Sequence, residues 1–218
     1  MSDKRVIWGF NLIAPYYDFF VALFFQKRIQ HCQNYFLNTI EDAQSVLIFG
    51  GGTGDILLSC LEVNPGASYH YIDISERMIE LTKQKVNSTQ INFITGSIRD
   101  IPKGNFEVII TPFVLDCFTN ASLKTEVIPQ LKAHMASKGK WIFSDFSYRQ
   151  APSKRFVSKL IIRSLYFVFN LLCGLGVKKL PHFNACFASH GLTTLSKKDF
   201  ASGLLTTCVY EQVKTNKN

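Results

Sequence analysis

The sequence predicts an α/β fold: a mostly parallel sheet with an antiparallel C-terminal edge and helices on both faces. Three observations carry this. Short apolar runs alternate with amphipathic segments from residue 45 to residue 150. The first run, "SVLIF", closes on a glycine cluster at Gly50, Gly51, Gly52 and Gly54. The last two β-like runs, "GLTTLSKK" and "GLLTTCVYEQ", follow one another with little between them.

Taken in order, residues 8 to 40 read as helical with a break near Pro15, and Ile29, Cys32, Phe36 and Ile40 fall close to one face. "QSVLIFG" is apolar without alternation, which suits a strand covered on both sides. "DILLSCLEV" is a helix stopped by Asn64, Pro65 and Gly66. "SYHYIDIS" is the second strand, and Ser75 can cap the helix "ERMIELTKQKV". "INFITG", "FEVIITPF" and "GKWIFSDF" are further strands, and "SLKTEVIPQLKAHMA" is a helix despite Pro129. A long apolar helix runs from about Lys154 to Leu175, and the two final runs bring the candidate strands to seven. No internal repeat, low-complexity segment or linker interrupts the order, so residues 1–218 read as one domain.

Hydrophobic residues make up 47% of the 218, which places the chain among globular proteins. The 19 phenylalanines point to an aromatic core or an apolar ligand pocket. The net charge of +8 permits an anionic partner, but no run of five basic residues occurs, so a solvated basic surface is favoured and no nucleic acid is expected. The six cysteines form no CxxC pair and have no histidine cluster beside them, which argues against a metal site. They read as free thiols in a reducing, cytoplasmic setting. Lys4 and Arg5 precede an apolar stretch, but Asn11, Pro15 and Asp18 break it and no cleavage site follows. Residues 156–177 are apolar apart from Lys159 and Arg163, and the uncharged remainder is short for a span of roughly 20 residues. A buried helix, or peripheral membrane contact through 156–177, stays open.

The glycine cluster discriminates between ligand classes. A strand, a glycine turn and a helix N-terminus form a cradle of outward N–H groups. No lysine follows Gly54, so the phosphate loop GxxxxGK[ST] is excluded. The spacing is Gly50-x-Gly52-x-Gly54, not the G-x-G-x-x-G of dinucleotide sites, and Asp55 would repel a pyrophosphate. Asp73 ends the second strand, where a carboxylate can accept from both hydroxyls of a ribose, or serve as a helix N-terminal acid.

With these residues in view, "VLIFGGGTG", "YIDIS...MI", "INFITGSIRDIP" and "FEVIITPFVLDCF" resemble the successive motifs of class I S-adenosylmethionine-dependent methyltransferases. The resemblance covers roughly residues 10 to 212 and is nearest the ubiquinone/menaquinone biosynthesis methyltransferase-like group, through "FNLIAPYYDFF" and "FASGLLTTCVYEQ". It implies a Rossmann-like seven-stranded sheet and S-adenosylmethionine as cofactor. It divides the chain into an N-terminal helical lid (1–40), a cofactor-binding core (45–150) and a closing part (151–212). It also implies roles. Gly50, Gly52 and Gly54 would line the methionine part of the cofactor, and Asp73 would hold the ribose. Ile74 and Met78 would pack on the adenine, with Ser97 and Ile98 at its edge. Thr111, Pro112 and Phe113 would lie beside the reactive sulfonium, and Tyr17 would close over the site. Two positions depart from the family pattern, which usually has an acid where Ile48 stands and often one where Ser97 stands. Both departures imply altered cofactor binding, with a backbone carbonyl or Asp116 left to meet the ammonium group.

Methyl transfer to carbon activated by positive sulfur is chiefly a matter of positioning, and a base is needed only if the acceptor must lose a proton. Asp116 is the first candidate base: it follows the fourth strand within "FVLDCF", an apolar setting able to raise its pKa. A helix cap or a cofactor contact accounts for it equally well. Asp145 ends the fifth strand and is the second candidate, and His182 is either a third or a surface histidine. "TPFV" lacks the second proline of base-amine methyltransferases, and no Pro-Cys pair serves pyrimidine chemistry. The phenylalanine-rich helices suit a small apolar or aromatic acceptor, quinone-like or lipid-like. The alternatives are an RNA or protein methyltransferase, which the net charge supports, and a non-catalytic S-adenosylmethionine-binding module, which Ile48 and Ser97 support. Oligomeric state is not readable.

Overall fold

The computed structural model describes residues 4–12, 14, 26–86, 89–148 and 152–213. Its strands are β1 (Ser45–Phe49), β2 (Ser68–Asp73), β3 (Ile91–Thr95), β4 (Phe106–Pro112), β5 (Met135–Phe146), β6 (Leu192–Phe200) and β7 (Leu205–Gln212). They form one sheet in the order β3-β2-β1-β4-β5-β7-β6. The first five are parallel, β7 runs antiparallel to β5, and β6 antiparallel to β7. The fold is thus the Rossmann-like, mostly parallel sheet with an antiparallel C-terminal edge. The helices are α1 (Gln26–Asn34), α2 (Asp55–Val63), α3 (Glu76–Lys85), α4 (Ile128–Ala133), α5 (Pro152–Cys173) and α6 (Phe183–Ala188), and residues 4–12 are also helical.

The central strand shows why the sheet is covered twice. Side chains alternate across a strand. Val46 and Ile48 enter one apolar cluster with Ile56, Leu57 and Cys60 of α2 and Ile79 of α3. Leu47 and Phe49 enter another with Leu131 of α4, Ile162 and Tyr166 of α5, and Phe183 and Phe187 of α6. The second cluster absorbs much of the aromatic content: Phe187 stacks on Tyr210 at 4.1 Å between ring centres and meets Trp141 edge-on at 5.0 Å.

Four details differ from the sequence reading. The segment containing Pro129 is helical, but Leu123–Val127 winds as a π turn just ahead of α4. Proline has no N–H and crowds the carbonyl four residues back, and the wider turn removes that conflict. β5 begins at Met135, and β4 carries an irregularity between Phe106 and Val108 to match it. The short helix α6 was not expected, and β7 inserts between β5 and β6. The buried run of β7 suits an inner strand, while β6, with Lys197 and Lys198, suits an edge.

The strand order reverses direction between β1 and β4. In open parallel sheets that divergence leaves a crevice beyond the carboxyl ends of the two strands. Gly50 follows β1 and Phe113 follows β4, so both loops open onto it.

Candidate functional site

The glycine loop is held at one residue, Gly52. The N–H of Gly52 donates to Asp73 Oδ2 at 2.9 Å, and its carbonyl accepts from Tyr71 Oη at 2.9 Å and Thr82 Oγ1 at 3.1 Å. Gly50, Gly52 and Gly54 all have positive φ, at 71°, 64° and 93°. Two of them are special for different reasons. A Cβ on Gly54 would lie 2.5 Å from Thr82 Cγ2, whereas a Cβ on Gly52 would meet nothing within 4 Å. Gly54 serves loop packing, and Gly52 faces open space. A Cβ on Gly50 would lie 2.2 Å from Val114 Cγ2, so the glycine loop rests on the turn after β4.

Asp73 is buried at the end of β2. Its second oxygen accepts from the N–H of Ser75 at 2.9 Å. Burial raises its pKa to about 6 against the lowering effect of these main-chain donors. These donors and the Ile74 N–H leave part of the carboxylate's acceptor capacity for a ligand hydroxyl. Ser75 caps α3, as its sequence position predicts, by accepting from Met78 N–H at 3.2 Å. Its own hydroxyl donates to Asn11 Oδ1 at 2.6 Å, which fastens the N-terminal helix over this corner. Sequence reasoning missed Asn11. Tyr17, which was expected to close the site, lies outside the described residues.

Next to Asp73, Ile74 is half-buried and Met78 is buried. Ser97 caps the turn Ile98–Asp100: its hydroxyl donates to Asp100 Oδ2 at 2.9 Å and accepts from Arg99 N–H at 3.3 Å. The Ser97 N–H also reaches Asp100 Oδ2, at 2.8 Å, and these bonds hold Asp100 below the usual carboxylate range. The corner therefore has an acid after all, supplied from three positions on. The S-x-x-D pattern of a capping box was its readable signal. Ile98 is buried in the apolar core.

At β4 the expectations divide. The Thr111 hydroxyl is fully buried and accepts the Trp141 indole N–H at 2.9 Å. That bond turns the Thr111 side chain into the core beside Trp141. Phe113 has φ of 52°, a strained value outside glycine, and is half-buried edge-on to Phe146 at 5.5 Å. Ile48 is fully buried in the apolar cluster, facing away from the crevice into the α2 side.

Asp116 and Asp145 form a buried pair at the ends of β4 and β5. The Asp116 N–H donates to Asp145 Oδ2 at 3.1 Å, and the Phe146 N–H to Asp145 Oδ1 at 2.7 Å. Desolvation raises Asp116 to about 7; desolvation and then the Asp116 charge push Asp145 well above the carboxylate range. The Tyr166 hydroxyl on α5 donates to the Asp116 carbonyl at 3.2 Å, roofing the pair. His182 is exposed at the start of α6, and its N–H donates to Asn120 Oδ1 at 2.8 Å. The structure does not bring its ring to the carboxylates.

A model of a methyltransferase domain matches residues 47–141, from β1 to β5. Malonyl-[acyl-carrier protein] O-methyltransferase of Halalkalibacterium halodurans is 30% identical over 112 residues, 49% of this chain and 40% of that protein. The enzyme of the same name from Priestia megaterium is 29% identical over 67% of this chain and 53% of its own length. The Burkholderia thailandensis 1,6-didemethyltoxoflavin-N1-methyltransferase, solved with 1,6-didemethyltoxoflavin and S-adenosylhomocysteine, superposes with a TM-score of 0.66 at 12% identity, over 95% of this chain and 88% of that one. Residues 47–141 thus carry a methyltransferase domain, and the matches together support a class I S-adenosylmethionine-dependent enzyme.

The chain spans about half the length of the curated relatives it matches. Its residues fit the family's cofactor, S-adenosylmethionine. The unobstructed side of Gly52 admits a ligand against main chain, and Asp73 beside it has acceptor capacity left. Ile74 and Met78 offer an apolar wall next to Asp73, and the Ser97–Asp100 turn stands at the end of β3.

Proposed function

We propose that this methyltransferase transfers a methyl group from S-adenosylmethionine to a small, apolar or aromatic acceptor. One observation carries the reading. Half-buried aromatic rings collect at the carboxyl ends of β4 and β5, beside the glycine loop: Phe118 stacks on the buried Phe49 of β1 at 6.4 Å, and Phe113 meets Phe146 at 5.5 Å. Pockets for small ligands combine such apolar walls with a few convergent polar groups, here Asp116 and Asp145.

The bound cofactor supplies an electrophilic methyl group. This chain's residues position it: the open side of Gly52 takes the methionine part, Asp73 accepts from the ribose hydroxyls, and Ile74, Met78, Ser97 and Ile98 surround the adenine. The Asp116–Asp145 pair takes the proton of an acceptor hydroxyl, Asp116 being the member whose pKa of about 7 leaves it ionised near neutrality. Relatives and structural neighbours named for malonyl on a carrier protein and for a toxoflavin precursor support a small or carrier-borne acceptor.

The test is a methyl-incorporation screen with labelled cofactor over phenols, hydroquinones, acyl carboxylates, polar amines and RNA. Incorporation is expected into the aromatic or acyl set. Labelling confined to polar amines or RNA would overturn the reading.

A further inference from the structure

The surface of α5 is at odds with its length. Lys154–Cys173 is long and apolar enough to cross a bilayer by length and composition. Yet one face is built into the protein: Ser158 and Ile162 are buried, and Tyr166 is tied to the Asp116 carbonyl. The opposite face carries Phe156, Leu160, Phe167 and Leu171, at helical spacings of 4, 7 and 4, each at least 59% exposed. Arg155, Lys159 and Arg163 run alongside, every fourth residue. A helix buried on one side, with an apolar stripe and a basic flank on the other, lies in the plane of a membrane surface.

The neighbouring element continues the surface. The helix of residues 4–12 crosses the end of α5 so closely that a Cβ on Gly9 would lie 2.3 Å from Cys173 Cα. It exposes Trp8 and Leu12, one turn apart. Between it and α5 is a pocket of about 460 Å³, lined by Arg5, Arg163, Tyr166, Phe167, Asn170 and Lys178 among others. Asn170 braces the loop that closes the pocket: its Nδ2 donates to the Val177 carbonyl at 2.6 Å and its Oδ1 accepts from Gly176 N–H at 2.6 Å. Among the described residues the lining holds three cations and no acid. Phe167 belongs both to this pocket and to the stripe, so cationic cavity and apolar face are one surface.

We propose that α5 and residues 4–12 form a docking surface for an anionic lipid bilayer, with Arg5, Arg163 and Lys178 receiving a lipid phosphate. Charge complementarity selects this occupant. Neither α5 nor residues 4–12 contains an acidic residue, so a second copy would set its own cations against these, whereas anionic headgroups neutralise them while acyl chains take the stripe. Tyr166 places the surface one side chain from Asp116, so an acceptor dissolved in the bilayer would arrive beside the carboxylate pair.

Vesicle flotation of the full chain tests this, with phosphatidylcholine alone and with phosphatidylcholine containing phosphatidylglycerol. Flotation is expected with the anionic vesicles and at least about tenfold weaker with neutral ones. Arg163→Glu/Lys178→Glu should abolish that preference, and Phe167→Ser/Leu171→Ser should lower binding to both. All four positions are solvent-facing, and cofactor affinity and thermal unfolding of each variant verify the fold. Equal binding to neutral and anionic vesicles, or variants that float like the parent, would overturn the proposal. So would full displacement from vesicles by soluble glycerol phosphate, which assigns the pocket to a free anion. A dimer in sedimentation that Phe167→Ser/Leu171→Ser dissolves would overturn it too, assigning the stripe to a second copy. None of these outcomes depends on which acceptor is methylated.

Discussion

Asp73 Oδ2 accepts the N–H of Gly52 at 2.9 Å, so the residue expected to hold the ribose also holds the glycine loop in place. Asp73→Ala strands two main-chain donors, Gly52 and Ser75, in a buried setting. A loss of about 2 kcal/mol in unfolding free energy is expected. Cofactor affinity should fall by about tenfold or more, roughly 1.4 kcal/mol, by calorimetric titration with S-adenosylmethionine and NAD as control. Asp73→Asn keeps one acceptor oxygen and should lie between the two. Binding by the parent should also weaken as pH falls through about 6, where the carboxylate gains a proton.

Two glycines two positions apart separate ligand effects from fold effects. Gly52→Ala meets no neighbour within 4 Å, so it costs only the left-handed conformation, about 1 kcal/mol. The new methyl enters the space assigned to the cofactor, and affinity should drop about tenfold or more. Gly54→Ala adds overlap with Thr82 and should cost about 3 kcal/mol in stability. Denaturant unfolding beside titration checks the contrast. Equal stability losses with unchanged affinity in Gly52→Ala would remove that residue from the site.

Much of this was legible because local chemistry decided it. The apolar run into Gly50, Gly52 and Gly54 announced the strand and loop, and Ser75 announced its cap. The order of β7 and β6 was not legible, because a hairpin's sequence does not say which strand turns inward; pairing with β5 decides it. The buried bond of Thr111 was not legible, because its partner Trp141 lies thirty residues on. Asp116 and Asp145 each stood out alone, but their link is a tertiary contact between the turn after β4 and the end of β5. Asn11 gave no signal, because the donor it accepts from lies 64 positions away.

Asn11 is the simplest probe of the N-terminal helix as a lid. Its Oδ1 accepts from the Ser75 hydroxyl at 2.6 Å and from Arg77 N–H at 3.4 Å. Asn11→Ala should leave the sheet intact, with stability lowered by about 1 kcal/mol. Protease cleavage within the first dozen residues should accelerate, and bound cofactor should slow it less than in the parent. Unchanged cleavage would show that Gly9 against Cys173 holds the helix by itself.

The Asp116–Asp145 pair makes stability and activity depend on pH in opposite senses. Burial raises Asp116 from an ordinary 3.8 to about 7, and Asp145 is raised with it. Between those values the folded chain holds protons that the unfolded chain has released. Stability therefore falls as pH rises through the window, on the order of 1 kcal/mol per pH unit for each group. Asp145→Asn removes one buried ionisation and should flatten the slope of denaturant unfolding free energy against pH. A base must be ionised, so methyl transfer should instead rise with pH to a plateau with its midpoint near 7. Asp116→Asn should abolish that rise and lower the rate by about 10²-fold or more while S-adenosylmethionine affinity holds. A variant with the parent's pH–rate profile would leave Asp116 a structural partner of Asp145 and Tyr166, with the acceptor's proton passing directly to water.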